Sequence, residues 1–136
     1  MTTPITPPHP PLPWQELPGA PAVGTALLPL DQLTDGQARL HTIAPDGTAD
    51  TAFRMLLLRS GSGVKAYANR CAHFGVPLAA KQEQLIFLPH VSLTCNVHYA
   101  RYRWSDGTCE SGECAGESLT PVPVQVNATG MVCVAA

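Results

Sequence analysis

The chain has 136 residues and a formal net charge of -2, from 8 Lys and Arg against 10 Asp and Glu. That length suits one domain with a real core plus an attached segment, and the charge offers no basic footprint for nucleic acid. Charged residues make up only 13% of the chain, well below the usual quarter, which points either to a partner or oligomer contact covering part of the outside or to a small apolar-rich domain with long loops.

Residues 1–24 form the first compositional unit, with eight of the chain's 14 prolines before Ala22. Proline lacks the N–H that a helix or ladder needs, so this unit is expected to be a disordered or extended polyproline II arm. Trp14 and Leu17 are its strong anchors. Either they pack on the domain or on a neighbouring subunit, which would make an oligomer through the arm, or the arm is a frayed tail. His9 has no nearby partner in sequence and reads as a solvated residue.

Residues 25–136 read as all-β. Residues 25–30 suit a short strand, 31–36 a turn closed by Gly36, and 37–44 alternate apolar with polar. Pro45-Asp46-Gly47 is a turn signal, with Pro fixing φ and Gly supplying a positive one. Residues 53–59 are largely apolar and suit a buried strand. Ser60-Gly61-Ser62-Gly63 turns the chain into a strand over 64–69. Residues 79–84 are one helical turn or a polar loop, and 85–88 and 91–94 are short strands around Pro89. Asp106-Gly107 is a hairpin turn; a strand through Leu119–Val126, a turn at 127–130 and a last strand at 131–134 complete the pattern. No stretch of about 18 residues is apolar throughout, and no basic n-region precedes an apolar h-region, so a soluble cytoplasmic protein with no membrane contact is expected.

The chemistry lies in two boxes. The first is Cys71-Ala-His73-Phe-Gly75-Val-Pro77-Leu78, the second Cys95-Asn-Val-His98-Tyr-Ala-Arg-Tyr102, and 16 residues separate them. Each offers one thiolate and one imidazole. A structural zinc site uses the same residue types, but zinc modules usually pair Cys with Cys and His with His at fixed spacing, whereas each half here is mixed. Buried cysteines and core histidines at this spacing by chance are the plainer alternative, and a non-redox zinc or interaction module is the alternative function. His41, in an alternating strand, reads as a half-exposed sheet residue. His90, just after Pro89, reads as a loop-tip residue and a candidate accessory polar group. No nucleophile with its base, acid and base pair or phosphate loop is visible, so the chain is not expected to be an enzyme.

The paired C-x-H and C-x2-H boxes resemble the Rieske iron-sulfur proteins. The resemblance covers about residues 25–136 and implies a Rieske-like antiparallel β sandwich with a cluster-binding subdomain formed by two loops. It implies a 2Fe-2S cluster with Cys71 and Cys95 on one iron and His73 and His98 on the other. It further implies one-electron transfer, as a ferredoxin or electron-transfer subunit, between a reductase and a terminal oxygenase or reductase. In 136 residues no room is expected for the mononuclear iron domain of an oxygenase. Gly75 and Leu78 match the family, whereas Tyr99 stands where the family usually has Gly. The bracing disulfide of high-potential members would need cysteines at Val76 and at Asn96 or Val97, so it is absent. A Cys109–Cys114 bridge is disfavoured in a reducing cytosol, and Cys133 reads as a buried hydrophobe. High-potential members donate hydrogen bonds to sulfur from positions that are Ala100 and Tyr102 here. Ala100 cannot donate; Tyr102 supplies a donor if its hydroxyl points at the Cys95 sulfur rather than at solvent, and the potential is expected in the lower half of the family's range.

Overall fold

The computed structural model describes residues 13–17, 19–43, 52–72, 77–96, 99–112 and 117–135. Its longest strand, β3 (Phe53–Ser60), pairs antiparallel with β2 (Ala38–Ile43) on one side and β4 (Gly63–Ala68) on the other. Successive side chains of a strand point to opposite faces. Phe53, Met55 and Leu57 therefore enter one core with Leu28, Leu33, Val132 and Val134, while Leu56 and Leu58 enter another with Leu78, Leu93, Trp104 and Leu119. Leu56, Leu57 and Leu58 are all fully buried, as their unbroken apolar run predicts, and each such burial stabilises by roughly 1.5–3 kcal/mol.

A second sheet has the order β1 (Ala26–Pro29), β10 (Met131–Val134), β9 (Val124–Val126) and closes the first core. The third sheet has the order β5 (Ile86–Leu88), β6 (Ser92–Thr94), β7 (Arg101–Arg103), β8 (Cys109–Ser111), and it backs the second core. Every pairing between these strands is antiparallel. The described residues hold no α-helix, only one-turn 3-10 segments at Trp14–Glu16, Leu30–Gln32 and Gln82–Gln84. The chain is all-β, and among the described residues no helix is long and apolar enough to cross a membrane.

Two expectations change. The strand foreseen over 119–126 is regular only at Val124–Val126, because Pro121 and Pro123 have no N–H to give a ladder. The upstream part instead runs beside β4, with Ala68 N–H bonded to Thr120 O at 2.8 Å and Val122 N–H to Ala66 O at 2.9 Å. The 31–36 turn begins with a 3-10 turn at Leu30–Gln32 before Gly36. The turn expected at 45–47 lies outside the described residues.

Trp14 and Leu17 are buried in the first core, so this part of the proline-rich unit packs on the sheets. Between β7 and β8, Gly107 takes φ +76°, and a Cβ there would stand 2.7 Å from the Tyr67 ring. The Asp106-Gly107 signal thus has a second cause besides turn geometry: the turn is pressed onto an aromatic face of the second core.

Candidate metal-cluster site

The first box leaves β4 through Asn69, a polar side chain only 7% exposed. Its Oδ1 accepts Leu78 N–H at 2.8 Å and its Nδ2 donates to Ala79 O at 3.0 Å, while its own N–H bonds Arg54 O at 2.9 Å. One amide therefore ties the far end of the box to its start. The second box joins β6 to β7. Cys95 N–H bonds Ala100 O at 2.8 Å and Tyr99 N–H bonds Cys95 O at 2.9 Å, closing the loop on itself. Asn96 N–H then bonds Leu78 O at 2.7 Å, joining the two boxes.

Cys71 and Cys95 are 3% and 0% exposed and share the second core. His73 and His98 lie outside the described residues. Tyr102, fully buried on β7, brings its hydroxyl to 3.1 Å from the Cys71 sulfur, and the same oxygen accepts Ala72 N–H at 3.0 Å. Either atom of a thiol–hydroxyl pair can donate, but a thiolate carries no proton, so with Cys71 as a thiolate the Tyr102 hydroxyl is the donor. Of the two directions foreseen for this hydroxyl, the Cys95 sulfur and solvent, it takes neither and faces Cys71. The ring stands opposite Leu93 and Cys109 in the sheet, and the Ala72 N–H, in the irregular backbone after Cys71, draws the hydroxyl to the first box.

The two histidines among the described residues, His41 and His90, are not part of this arrangement. His41 lies half-buried on β2, as expected, and burial first and the Arg39 charge second push its imidazole below the ordinary value. His90 does act as an accessory polar group, but between sheets. In the β5–β6 turn at φ +62°, its Nδ1 lies 3.0 Å from Ser60 Oγ and its Nε2 3.5 Å from Asp35 Oδ1. Trp104 Nε1 donates to the same Ser60 Oγ at 2.9 Å, so the end of β3 is clasped to the third sheet. Tyr67, whose phenol is raised to about 12 by burial and then by Asp106, stays protonated and donates to Trp104 O at 3.2 Å.

Two buried cysteines on joined loops, one of them facing a tyrosine hydroxyl, fit a cofactor that takes thiolate ligands. The family comparison agrees. Residues 26–129 match the Rieske [2Fe-2S] domain. The chain belongs to the Rieske family. Its cofactor is a 2Fe-2S cluster, which supplies one-electron transfer when bound.

Among solved structures, the fold is similar to the ferredoxin of carbazole 1,9a-dioxygenase from Nocardioides aromaticivorans IC177, at TM-score 0.62 and 22% identity, over 84% of this chain and 98% of that one. It is also similar to the terminal oxygenase of carbazole 1,9a-dioxygenase from Novosphingobium sp. KA1, at TM-score 0.64 and 20% identity, over 84% of this chain and 31% of that one. The terminal oxygenase from Nocardioides aromaticivorans IC177 gives TM-score 0.62 and 25% identity, over 82% of this chain and 29% of that one. No curated protein matches the chain.

Two features of this Rieske domain depart from the family's pattern. Tyr99, at the usual Gly position, keeps the glycine-like backbone with φ +58°, which costs a non-glycine residue about 1–2 kcal/mol. Ala100, at the donor position, is buried against Gly112, where a Cβ would stand 3.1 Å from Ala100 Cα and 3.2 Å from its Cβ. Sequence reasoning missed Asn69 and Gly112. A lone Asn between an apolar strand and the first cysteine was the available signal for Asn69; nothing local marked Gly112 as the neighbour of Ala100.

Proposed function

We propose that the protein is a ferredoxin-type electron carrier that accepts one electron from a reductase and passes it to a terminal oxygenase or reductase. Cys71 and Cys95 hold one iron of its cluster and His73 and His98 the other. The observation that carries this reading is the Tyr102 hydroxyl at 3.1 Å from the Cys71 sulfur, inside the core that also buries Cys95. The likeness to a ferredoxin over 98% of that protein's length supports the carrier role.

In this reading the chain's own residues orient and exclude water. Asn69 and the Asn96–Leu78 bond hold the boxes together, Tyr102 directs its hydroxyl at a thiolate sulfur, and Leu78, Leu93 and Leu119 keep the thiolate side dry. Residues 25–136 make up the cluster domain, and 1–24 are an arm pinned by Trp14 and Leu17. A cytoplasmic location is supported by the lack of cysteines at Val76, Asn96 and Val97, where a bracing disulfide would sit.

Visible and electron paramagnetic resonance spectra of the purified protein, with and without dithionite, test this together with iron and sulfide analysis. A reducible 2Fe-2S signal is expected, lost in Cys71→Ser, Cys95→Ser, His73→Ala and His98→Ala and kept in Val76→Ala. Full iron and sulfide after loss of any of the four would refute the ligand set.

A further inference from the structure

Gly112 differs from the other glycines with positive φ in what it lies against. At Gly24, Gly61 and Gly130 a Cβ would have nothing within 4 Å, so the turn alone accounts for the residue. At Gly36 and Gly107 a Cβ would first meet side chains, Pro89 and His90 in one case and Tyr67 in the other. At Gly112, with φ +106°, it would meet main chain: Ala100 Cα at 3.1 Å and Ala100 N at 3.8 Å, besides Ala100 Cβ at 3.2 Å. A long side chain can rotate away from an intruding methyl group. Ala100 has no such freedom, because it is 3% exposed and sits in the close-packed second core with Leu93, Tyr102 and Leu119.

A bulge brings the two residues together. Arg101 pairs with Ser111 but Tyr102 with Cys109, so Glu110 is an extra residue in β8 at that step. Continuing the register places Gly112 opposite Ala100; without the extra residue Ser111 would face it. Behind Ala100 lies the second box. The Ala100 carbonyl accepts Cys95 N–H at 2.8 Å and Cys95 O accepts Tyr99 N–H at 2.9 Å, so the place of the Ala100 main chain sets that of the Cys95 main chain.

We infer that Gly112 is a positioning residue for the cluster site: its bare Cα is the seat for Ala100, and through the Ala100 carbonyl it fixes where Cys95 carries its sulfur. Glycine supplies no ligand and no side-chain donor, so its part is wholly steric. A methyl group at 112 pushes Ala100 toward the second box, and the displacement passes to Cys95 through one hydrogen bond. This rests on the electron-carrier reading above, in which Cys95 is a ligand, and adds to it a residue outside both boxes.

The test compares full-length wild type with Gly112→Ala, Gly112→Asn and Gly130→Ala. Ala at 130 bears the strain of a positive φ, +83°, with nothing within 4 Å of its Cβ, and so controls for backbone strain. Asn tolerates positive φ better than Ala while bringing the same Cβ, so the site is not probed through one variant alone. Loss of the cluster to a chelator, followed by visible absorption, should be at least about tenfold faster in both Gly112 variants and within about twofold of wild type in Gly130→Ala. The g-values of the dithionite-reduced protein should move in both Gly112 variants and coincide with wild type in Gly130→Ala. Hydrogen exchange over residues 95–102, read by mass spectrometry, should quicken at least about threefold in the Gly112 variants alone. Absence of a reducible cluster in the wild type would defeat the electron-carrier reading, and the exchange comparison would then decide by itself whether Gly112 seats Ala100. Lower melting temperatures in the Gly112 variants with g-values, cluster retention and exchange all unmoved would overturn the inference, since the glycine would then serve chain geometry only. Equal changes in Gly130→Ala would overturn it too, because strain anywhere would then disturb the site.

Discussion

The two cores on either side of β3 are built by different means. The first, with Trp14, Leu28, Met55, Leu57 and Val132, is apolar throughout and is enclosed by strands of three to eight residues. The second carries Cys71, Cys95 and Cys109 and is backed by strands of only three residues each. Its loops are held by Asn69, by the Asn96–Leu78 bond and by the Tyr102 hydroxyl. Burial area supports the first. In the second, where loop backbone is buried, polar groups must be matched one by one, and each match fixes a position as well as adding stability. The molecule separates a region that gives stability from one that gives geometry.

A pair of substitutions sharpens that contrast. Leu57→Ala leaves a cavity in the first core and should cost about 2–5 kcal/mol by denaturant titration, with the cluster spectrum and potential unmoved. Asn69→Ala leaves Leu78 N–H and Ala79 O without their partner and should cost less, about 1–3 kcal/mol, yet it should reduce the iron and sulfide retained per chain. If Leu57→Ala disturbed the spectrum as much as Asn69→Ala, the division between the two cores would fail.

How far this could be read from sequence follows the same line. The first region was legible because alternation and unbroken apolar runs fix strand and face; β2, β3, β4 and β10 fall where the pattern puts them. Proline chemistry was read at the arm but underweighted at Pro121 and Pro123, where two missing donors interrupt the expected strand. In the second region the boxes were legible from residue type and spacing. The direction of Tyr102 was not, since it depends on a backbone N–H at Ala72 that no local pattern announces. The packing of Gly112 on Ala100 and the clasp from His90 to Ser60 join segments 12 and 30 residues apart, and only the folded topology brings them together.

A smaller effect separates the sheet from the site by pH. His41 on β2 has its imidazole held below its ordinary value, by burial first and by Arg39 second. The unfolded chain then binds that proton more tightly than the folded one. Stability is therefore lost as pH falls from about 6.5 toward the lowered folded value and is fully present above that range. Melting curves at several pH values should show a shallower loss on the acid side in His41→Gln than in wild type, with no change in cluster content. An identical slope in the two proteins would assign the acid sensitivity to other groups.

The central claim is that the second core places a hydrogen-bond donor on a cysteine sulfur of the cluster, and the midpoint potential reads this most directly. A hydrogen bond to a charged acceptor contributes roughly 1.5–3 kcal/mol and favours the more negative, reduced cluster, which for one electron is about 65–130 mV. Film voltammetry of wild type and Tyr102→Phe measures it. With Tyr102 on Cys71 and no donor at Ala100, the wild type should lie in the lower half of the family range of about -150 to +300 mV. Tyr102→Phe should lie lower still by an amount within that interval. A wild-type value near the top of the range, or equal potentials for the two proteins, would contradict the account.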